Sequence, residues 1–460
     1  MKNIFKYRFL SSLVACFLLI TATTSCTKDD LEPTLAQEKS VEGSIVNVSN
    51  LYGLLKGALN RLTASGYWGR EVIATNEVRS DNIFSNGNSG RYTTQGAFDY
   101  NKNSGGIWDN CYSVIALSNV IISTDITTLE GDQAYGKHLQ GGAYFLRALT
   151  HYDLVRFYGQ QHSSGTLGVP IVTTFKGDDL YPARNTVDEV KTAIISDLEM
   201  AFTLMDDQFD NSELVSKYAA PALLSRVAIY FGEWTKAKTA AEQVINSNKY
   251  KIIDATEFVN SWAASKNVNS IFELAFSSTD NLSSNSLAYI YRTQSNGSGY
   301  GDLQVMPEVE NLYEAGDVRS GILGKQGALL RNMKKYPNIN GHDNIALIRI
   351  EEVILNLAEA LFETNNASGA LTQLTKITSK RGATAYASAT KDNIILERRK
   401  ELMFEGFRWD DLMRTGKSIK AHGTLMELLA THTYPNKLFA YPIPVAEINA
   451  NSNIVQNEGY

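Results

Sequence analysis

Apolar residues recur at helical spacing over most of this chain, and the exceptions gather in two long stretches. Leu51, Leu54, Leu55, Ala58 and Leu62 mark an amphipathic helix over 48–62. Trp108, Cys111, Tyr112, Ile115, Leu117, Asn119 and Ile122 mark another. A third, over 137–158, carries Ala143, Tyr144, Leu146, Ala148, Leu149, Tyr152 and Val155. Thr186 and Glu189 have the spacing of a capping box that opens a helix ending near Met205. Over 216–246, Ala222, Ala228, Tyr230, Gly232, Trp234, Ala237, Ala241 and Val244 follow tetratricopeptide logic. Small residues let two antiparallel helices touch, and a glycine turn carries an aromatic plug. Leu355, Ala358, Ala360, Ala370, Leu374 and Ile377 repeat the device over 347–380. The pattern predicts a mainly α fold: about four tetratricopeptide-like helix pairs, within 107–247 and 346–416, as a scaffold.

The stretch 394–416 adds dense charge to an apolar face made by Ile395, Leu402, Trp409 and Met413. On one continuous helix, Glu397 would meet Lys400, Arg398 would meet Glu401, and Arg408 would meet both Glu405 and Asp411. A structural helix with a paired, charged rim is the plainer reading; a charged recognition face is the alternative. Gly406 costs a helix about 1 kcal/mol relative to alanine, so close approach to another backbone is expected there.

Two stretches break the helical rhythm. Residues 63–106 and 249–336 are rich in Gly, Ser, Asn and Thr, with embedded aromatics and short strand-like runs such as 270–276. Loops of this kind favour binding, because polar edges and aromatic faces sit together. Tyr67, Trp68, Arg79, Asp81 and Asn82 in the first, and Tyr289, Tyr291 and Tyr300 in the second, are the candidate ligand-binding residues. Trp108, Trp234 and Trp409 fall inside helix patterns and read as packing; Trp262 has no assignment. Residues 439–460, punctuated by Pro442 and Pro444 and rich in Asn, predict an extended tail laid on the surface.

The N-terminus reads as an address. Lys2, Lys6 and Arg8 precede an apolar run over 9–22 that is too short for an ordinary membrane span, so 1–25 is expected to be a cleaved signal. Its loss takes the formal charge from −6 to −9 by removing those three cations. Thr23-Thr24-Ser25-Cys26 resembles a bacterial lipobox, which makes Cys26 the lipidated first residue and 26–47 a tether. Cys16 leaves with the signal, so Cys111 is the one thiol left; it has no disulfide partner and reads as a small buried hydrophobe. An acidic chain without a basic cluster argues against nucleic acid.

Catalytic and metal motifs are missing from the sequence. There is no H-E-x-x-H, no paired-cysteine spacing and no G-x-S-x-G. Gly416-Lys417-Ser418 ends like a phosphate loop, but Asp411 stands where that loop needs glycine and would repel phosphate. Ser388 and Lys391 match S-x-x-K by spacing alone. Asp206, Asp207 and Asp210 read as a solvated helix end more readily than as calcium ligands. No catalytic residue, metal ligand or cofactor is expected.

Four segments together resemble the SusD/RagB family. They are Gly142–Ala148 with Gly168-Val169-Pro170-Ile171-Val172, Arg349–Ala360, Glu397–Gly416, and Pro442-Ile443-Pro444 through Glu447 and Asn457 to Gly459-Tyr460. Asp29 and Asp30, just after Cys26, are similar to that family's surface-export signal. The resemblance implies a single domain over 48–460, with its ligand face built from 63–106 and 249–336. It also implies a lipid-anchored protein of the outer-membrane surface that is not an enzyme. Such a protein would capture oligosaccharides for a SusC-like TonB-dependent transporter. The alternatives are a RagB-like oligopeptide binder, which would use backbone hydrogen bonds and side-chain pockets, and a helical-repeat scaffold without a small ligand.

Overall fold

A computed structural model describes residues 45–175, 179–292, 299–421 and 431–460. The expected signal, Cys26 and most of the tether lie outside the described residues. No helix among the described residues is long and apolar enough to cross a membrane.

Helix periodicity translates into helices nearly everywhere it occurs. α1 spans Val48–Leu62, where Asn47 and Asn50 form a reciprocal cap. α2, Glu71–Val78, emerges inside the first loop-rich stretch. α3 (Gly106–Ser123) and α4 (Gln133–Tyr158) pack side by side, and α5 (Val187–Leu204) lies on α4. Thr186 and Glu189 do cap α5 reciprocally. α6 (Ala219–Phe231) turns through Gly232, whose φ of 76° is left-handed, into α7 (Trp234–Asn246). The second repeat unit is α8 (Ile350–Glu363) with α9 (Ala367–Arg381), and α7 packs on α8, so the pairs stack into one scaffold. Alanines at 222, 228, 237, 241, 358, 360 and 370 are all buried, which is what lets these helices approach closely. Cys111 is buried and free, as read from the pattern.

Among the described residues the strands form three antiparallel pairs: β1 (Ile83–Ser85) with β3 (Leu303–Val305), β2 (Ser270–Leu274) with β6 (Ile345–Arg349), and β4 (Leu323–Gln326) with β5 (Leu329–Asn332). Each pins a loop rather than building a layer.

The charged stretch departs from its reading. It is not one helix: α10 (Lys391–Glu401) stops, the chain turns through Leu402–Phe407, and α11 (Arg408–Arg414) follows. Phe404 at φ 70° and Gly406 at φ 83° are both left-handed, which no helix accommodates. The expected close approach at Gly406 is present, since a Cβ there would lie 3.0 Å from Ile73 Cα. The expected i,i+3 pairs do not form: Glu397, Arg398, Lys400 and Glu401 share α10 but each pairs with a residue outside it, Arg408 pairs with Asp81, and the turn separates Glu405 from Arg408. Glu397 instead accepts from Arg319, Glu401 from Arg319, Arg349 and Arg381, and Glu405 from Arg349 and Lys335. These carboxylates and cations are at most 3% exposed at their side chains. The rim is a buried charge lattice.

The C-terminal stretch is held more firmly than a surface tail. It includes a short helix at Val445–Ala450, and Asn457 is buried, its Nδ2 donating to the carbonyls of Tyr158 at 2.8 Å and Tyr441 at 2.6 Å. Arg184 Nη1 donates to Asn457 Oδ1 at 2.9 Å. Asn residues serve here as bridges between backbones rather than as solvated polarity. Asp207 and Asp210 pair with Lys249.

Candidate functional site

The two loop-rich stretches meet through β1 and β3. Ile83 stands opposite Val305 and Ser85 opposite Leu303, so the loop leaving β1 emerges beside the loop entering β3. Side-chain amides then tie the two together: Asn86 Nδ2 donates to Gly301 O at 2.7 Å and Asn88 Nδ2 to Tyr300 O at 2.5 Å. The β4–β5 hairpin brings Gln326, Leu329 and Arg331 to the same place. Arg331 is buried and its Nη1 donates to the carbonyls of Gly301 at 2.9 Å and Leu303 at 3.3 Å. The result is an open concavity of about 590 Å³ walled by Asn86, Asn88, Tyr300, Gln326, Leu329 and Arg331. That lies within the roughly 300–1,000 Å³ usual for small-molecule sites.

One wall is aromatic. Tyr300 is half-buried, with the Arg91 guanidinium 4.1 Å from its ring centroid and Tyr289 beside it at 6.2 Å and 54°. Tyr300 N donates to Tyr289 O at 2.7 Å, which fixes the spacing of the two rings. Asp302, fully buried, receives the backbone N–H of Ser89 at 3.1 Å and faces Arg91 at 3.5 Å. Burial pulls the Arg331 guanidinium below its ordinary value, with Asp302 acting in the opposite sense.

The charge lattice positions this site. Arg399 donates to Asn82 Oδ1 and Asp81 O, both at 2.8 Å, and Arg408 grips the Asp81 carboxylate at 2.6 and 2.8 Å. Gly406 N donates to Glu77 Oε1 at 2.8 Å and its carbonyl accepts from Asn76 Nδ2 at 3.0 Å. The turn between α10 and α11 therefore holds α2 and the first residues before β1. Lys335, just past β5, donates to Met403 O at 2.7 Å and Glu405 Oε1 at 2.6 Å.

Of the eight residues expected at the ligand face, the cavity region contains Tyr300, with Tyr289 next to it. Tyr67 and Trp68 are corrections: both are buried, and their Oη and Nε1 donate to one Asp153 oxygen at 2.5 and 2.7 Å. An aromatic paired with a buried carboxylate offers no face to a ligand. Arg79 is fully buried with its guanidinium 3.7 Å from the Trp409 ring centroid and 4.6 Å from that of Tyr441. Asn82 is buried under Arg399, and Tyr291 is buried against Tyr336 and Phe404. Asp81 is committed to Arg408 and Arg399, away from the cavity. Trp262, unassigned from sequence, lies under the Lys335 ammonium at 4.1 Å. Trp108 and Trp409 are packed core as read, while Trp234 is half-buried and borders a 780 Å³ concavity between scaffold helices.

Sequence reasoning missed Asn86, Asn88, Arg91, Gln326 and Arg331. The run Asn86-Gly87-Asn88-Ser89-Gly90 directly after apolar Ile83-Phe84 was the one available signal, that of a tight loop after a strand. Arg331 carried none. Among the described residues, no group of three or more His, Cys, Asp or Glu is placed to hold a metal ion.

Helix pairs stacked as a scaffold, with long loops pinned by two-stranded ladders of which two meet at an open cavity, define a class of helical-repeat protein with a loop-built face. Residues 321–460 match the model of the SusD family, and residues 36–229 match a model described as starch-binding associating with outer membrane. The chain belongs to the SusD family. It is 24% identical over 97% of its length to 99% of SusD-like protein P2 of Formosa agariphila. It is 35% identical to the starch-binding protein SusD of Bacteroides thetaiotaomicron over 27% of this chain and 22% of that one. A crystal structure of a SusD superfamily protein from Bacteroides thetaiotaomicron superposes with a TM-score of 0.82 at 26% identity, covering 90% of this chain and all of the other.

Proposed function

We propose that this chain is a lipid-anchored protein of the outer-membrane surface that captures oligosaccharides at the β1–β3–β5 cavity and passes them, unmodified, to a SusC-like TonB-dependent transporter. The observation that carries the reading is the Tyr300 ring, held against Arg91 and Tyr289, set among polar loops at an open cavity. Sugars present C–H faces that stack on aromatic rings and hydroxyl edges that need hydrogen-bond partners, and this wall offers both. The match to a family model described as starch-binding, and the name of the starch-binding relative, support the same ligand class. The anchor rests on Cys26 following the apolar run, and the helical repeats supply the surface for the transporter.

The test is isothermal titration of residues 27–460 against neutral and acidic oligosaccharides and a defined peptide mixture. Saturable, unhydrolysed binding of an oligosaccharide is expected. Tyr300→Ala should weaken it roughly tenfold, about 1.4 kcal/mol, the scale of one aromatic contact. Peptide binding with no oligosaccharide signal would overturn the ligand class. Release of Cys26→Ala protein from membranes tests the anchor.

A further inference from the structure

We propose that the cavity selects acidic oligosaccharides, those carrying a carboxylate or sulfate, and that Arg331 is the residue that selects them. The inference rests on the reading of this cavity as an oligosaccharide site.

It follows from which polar groups are already committed. Asn86 Oδ1 accepts from Asn88 N at 3.0 Å while its Nδ2 binds Gly301 O at 2.7 Å. Asn88 Nδ2 is spent on Tyr300 O. Arg91 Nη1 donates to Ser89 Oγ at 2.8 Å and faces Asp302, with its plane against Tyr300. Two groups remain. Arg331 uses Nη1 on two carbonyls, which fixes its guanidinium, and its Nε is buried without a partner. Gln326 Oε1 is likewise without a partner.

Charge points the same way. Among the described residues, Arg331 is the one charged residue lining the cavity, and no carboxylate lines it. Counting the pair behind the wall, two guanidiniums (Arg91 and Arg331) stand against one carboxylate, Asp302, a formal +1 inside a chain of −6. A neutral sugar hydroxyl can also accept from the guanidinium, but it brings no charge to compensate a cation held out of water. A carboxylate or sulfate presents the paired oxygens that a fixed guanidinium recognises, and it compensates a cation held out of water. Gln326 then takes a ring hydroxyl.

The deciding experiment compares tetragalacturonate, its carboxyl-reduced neutral counterpart and a sulfated galactan tetrasaccharide on the unmodified mature chain by calorimetry. At least one acidic oligomer should bind roughly tenfold or more tighter than the neutral one. The gap should shrink as NaCl rises from about 50 to about 300 mM, since the contact is electrostatic and partly solvated. The carboxylate and sulfate arms separate the two anion sources. Arg331→Gln should abolish the preference, the acidic oligomer weakening to the level of its neutral counterpart. Because Arg331 also braces β3, the wild-type comparison of the acid with its reduced form decides the matter independently of that variant. Equal or tighter binding of neutral oligomers overturns this inference and leaves oligosaccharide capture standing. Absence of binding to every oligosaccharide overturns both.

Discussion

Glu401 sits among three buried guanidiniums, and its neutralisation by Glu401→Gln tests whether the charge lattice holds the fold together. Oε1 accepts from Arg349 Nη1 and Arg381 Nη2, each at 2.8 Å, and Oε2 from Arg319 Nη1 at 3.2 Å and Arg381 Nε at 3.0 Å. Glutamine keeps the volume and one acceptor, but turns an NH₂ donor toward guanidinium donors. Losing the two charge-assisted bonds at Oε2, at about 1.5–3 kcal/mol each, gives about 3–6 kcal/mol. That agrees with the roughly 3–5 kcal/mol found when one partner of a buried pair is removed.

The pH dependence follows in sign. Burial alone would raise the Glu401 carboxyl, but Arg381, Arg349 and Arg319 outweigh it and hold it well below its ordinary value of 4.5. A depressed folded pKa contributes stability that is complete above the unfolded value and lost as pH falls below it, at about 1.4 kcal/mol per pH unit. Urea unfolding of the mature chain and the variant, followed by circular dichroism at pH 7 and pH 3.5, should show the large gap at pH 7 and a smaller one in acid. A variant within about 1 kcal/mol of wild type, or a gap indifferent to pH, would refute the reasoning.

Trp68→Ala should cost about 3–5 kcal/mol by emptying a buried site and removing one of the donors to Asp153, yet leave oligosaccharide affinity per folded molecule unchanged; calorimetry on the folded fraction that shows lost affinity would return Trp68 to the ligand site. Burial raises the Glu77 carboxyl to about 7 against its Gly406 and Lys335 contacts, so the folded protein holds a proton that the unfolded chain releases above about 4.5. Wild type should therefore lose stability relative to Glu77→Gln as pH rises from about 4.5 to about 7, by about 1.4 kcal/mol per unit, in urea midpoints; a flat difference would show Glu77 to be ionised throughout. Gly406→Ala meets both a left-handed φ of 83° and Ile73 Cα at 3.0 Å, and should cost about 1–3 kcal/mol in the same assay, with a neutral result arguing against the tight turn.

The helices and their pairing were legible because periodicity and small-residue contacts are properties of neighbours along the chain. Thr186 and Glu189, the Gly232 turn and the buried alanines of 216–246 needed no tertiary information to be placed. The loop-rich stretches were also recognisable, and they are the segments that build the cavity wall. Within them, composition did not separate a platform from a core residue. Tyr67, Trp68 and Tyr300 share the same Gly/Asn/Ser surroundings, and only the tertiary structure turns the first two onto Asp153 and leaves Tyr300 at a cavity. The same holds for charge. Glu397, Glu401 and Glu405 have near neighbours of opposite sign, but the folded chain brings Arg319, Arg349, Arg381 and Lys335 against them instead. What the sequence determined alone was local: where the chain coils and where it does not. Partners more than two hundred residues apart, such as Asn86 with Gly301, are chosen by β1–β3 pairing and by burial, which exist only once the chain has closed on itself.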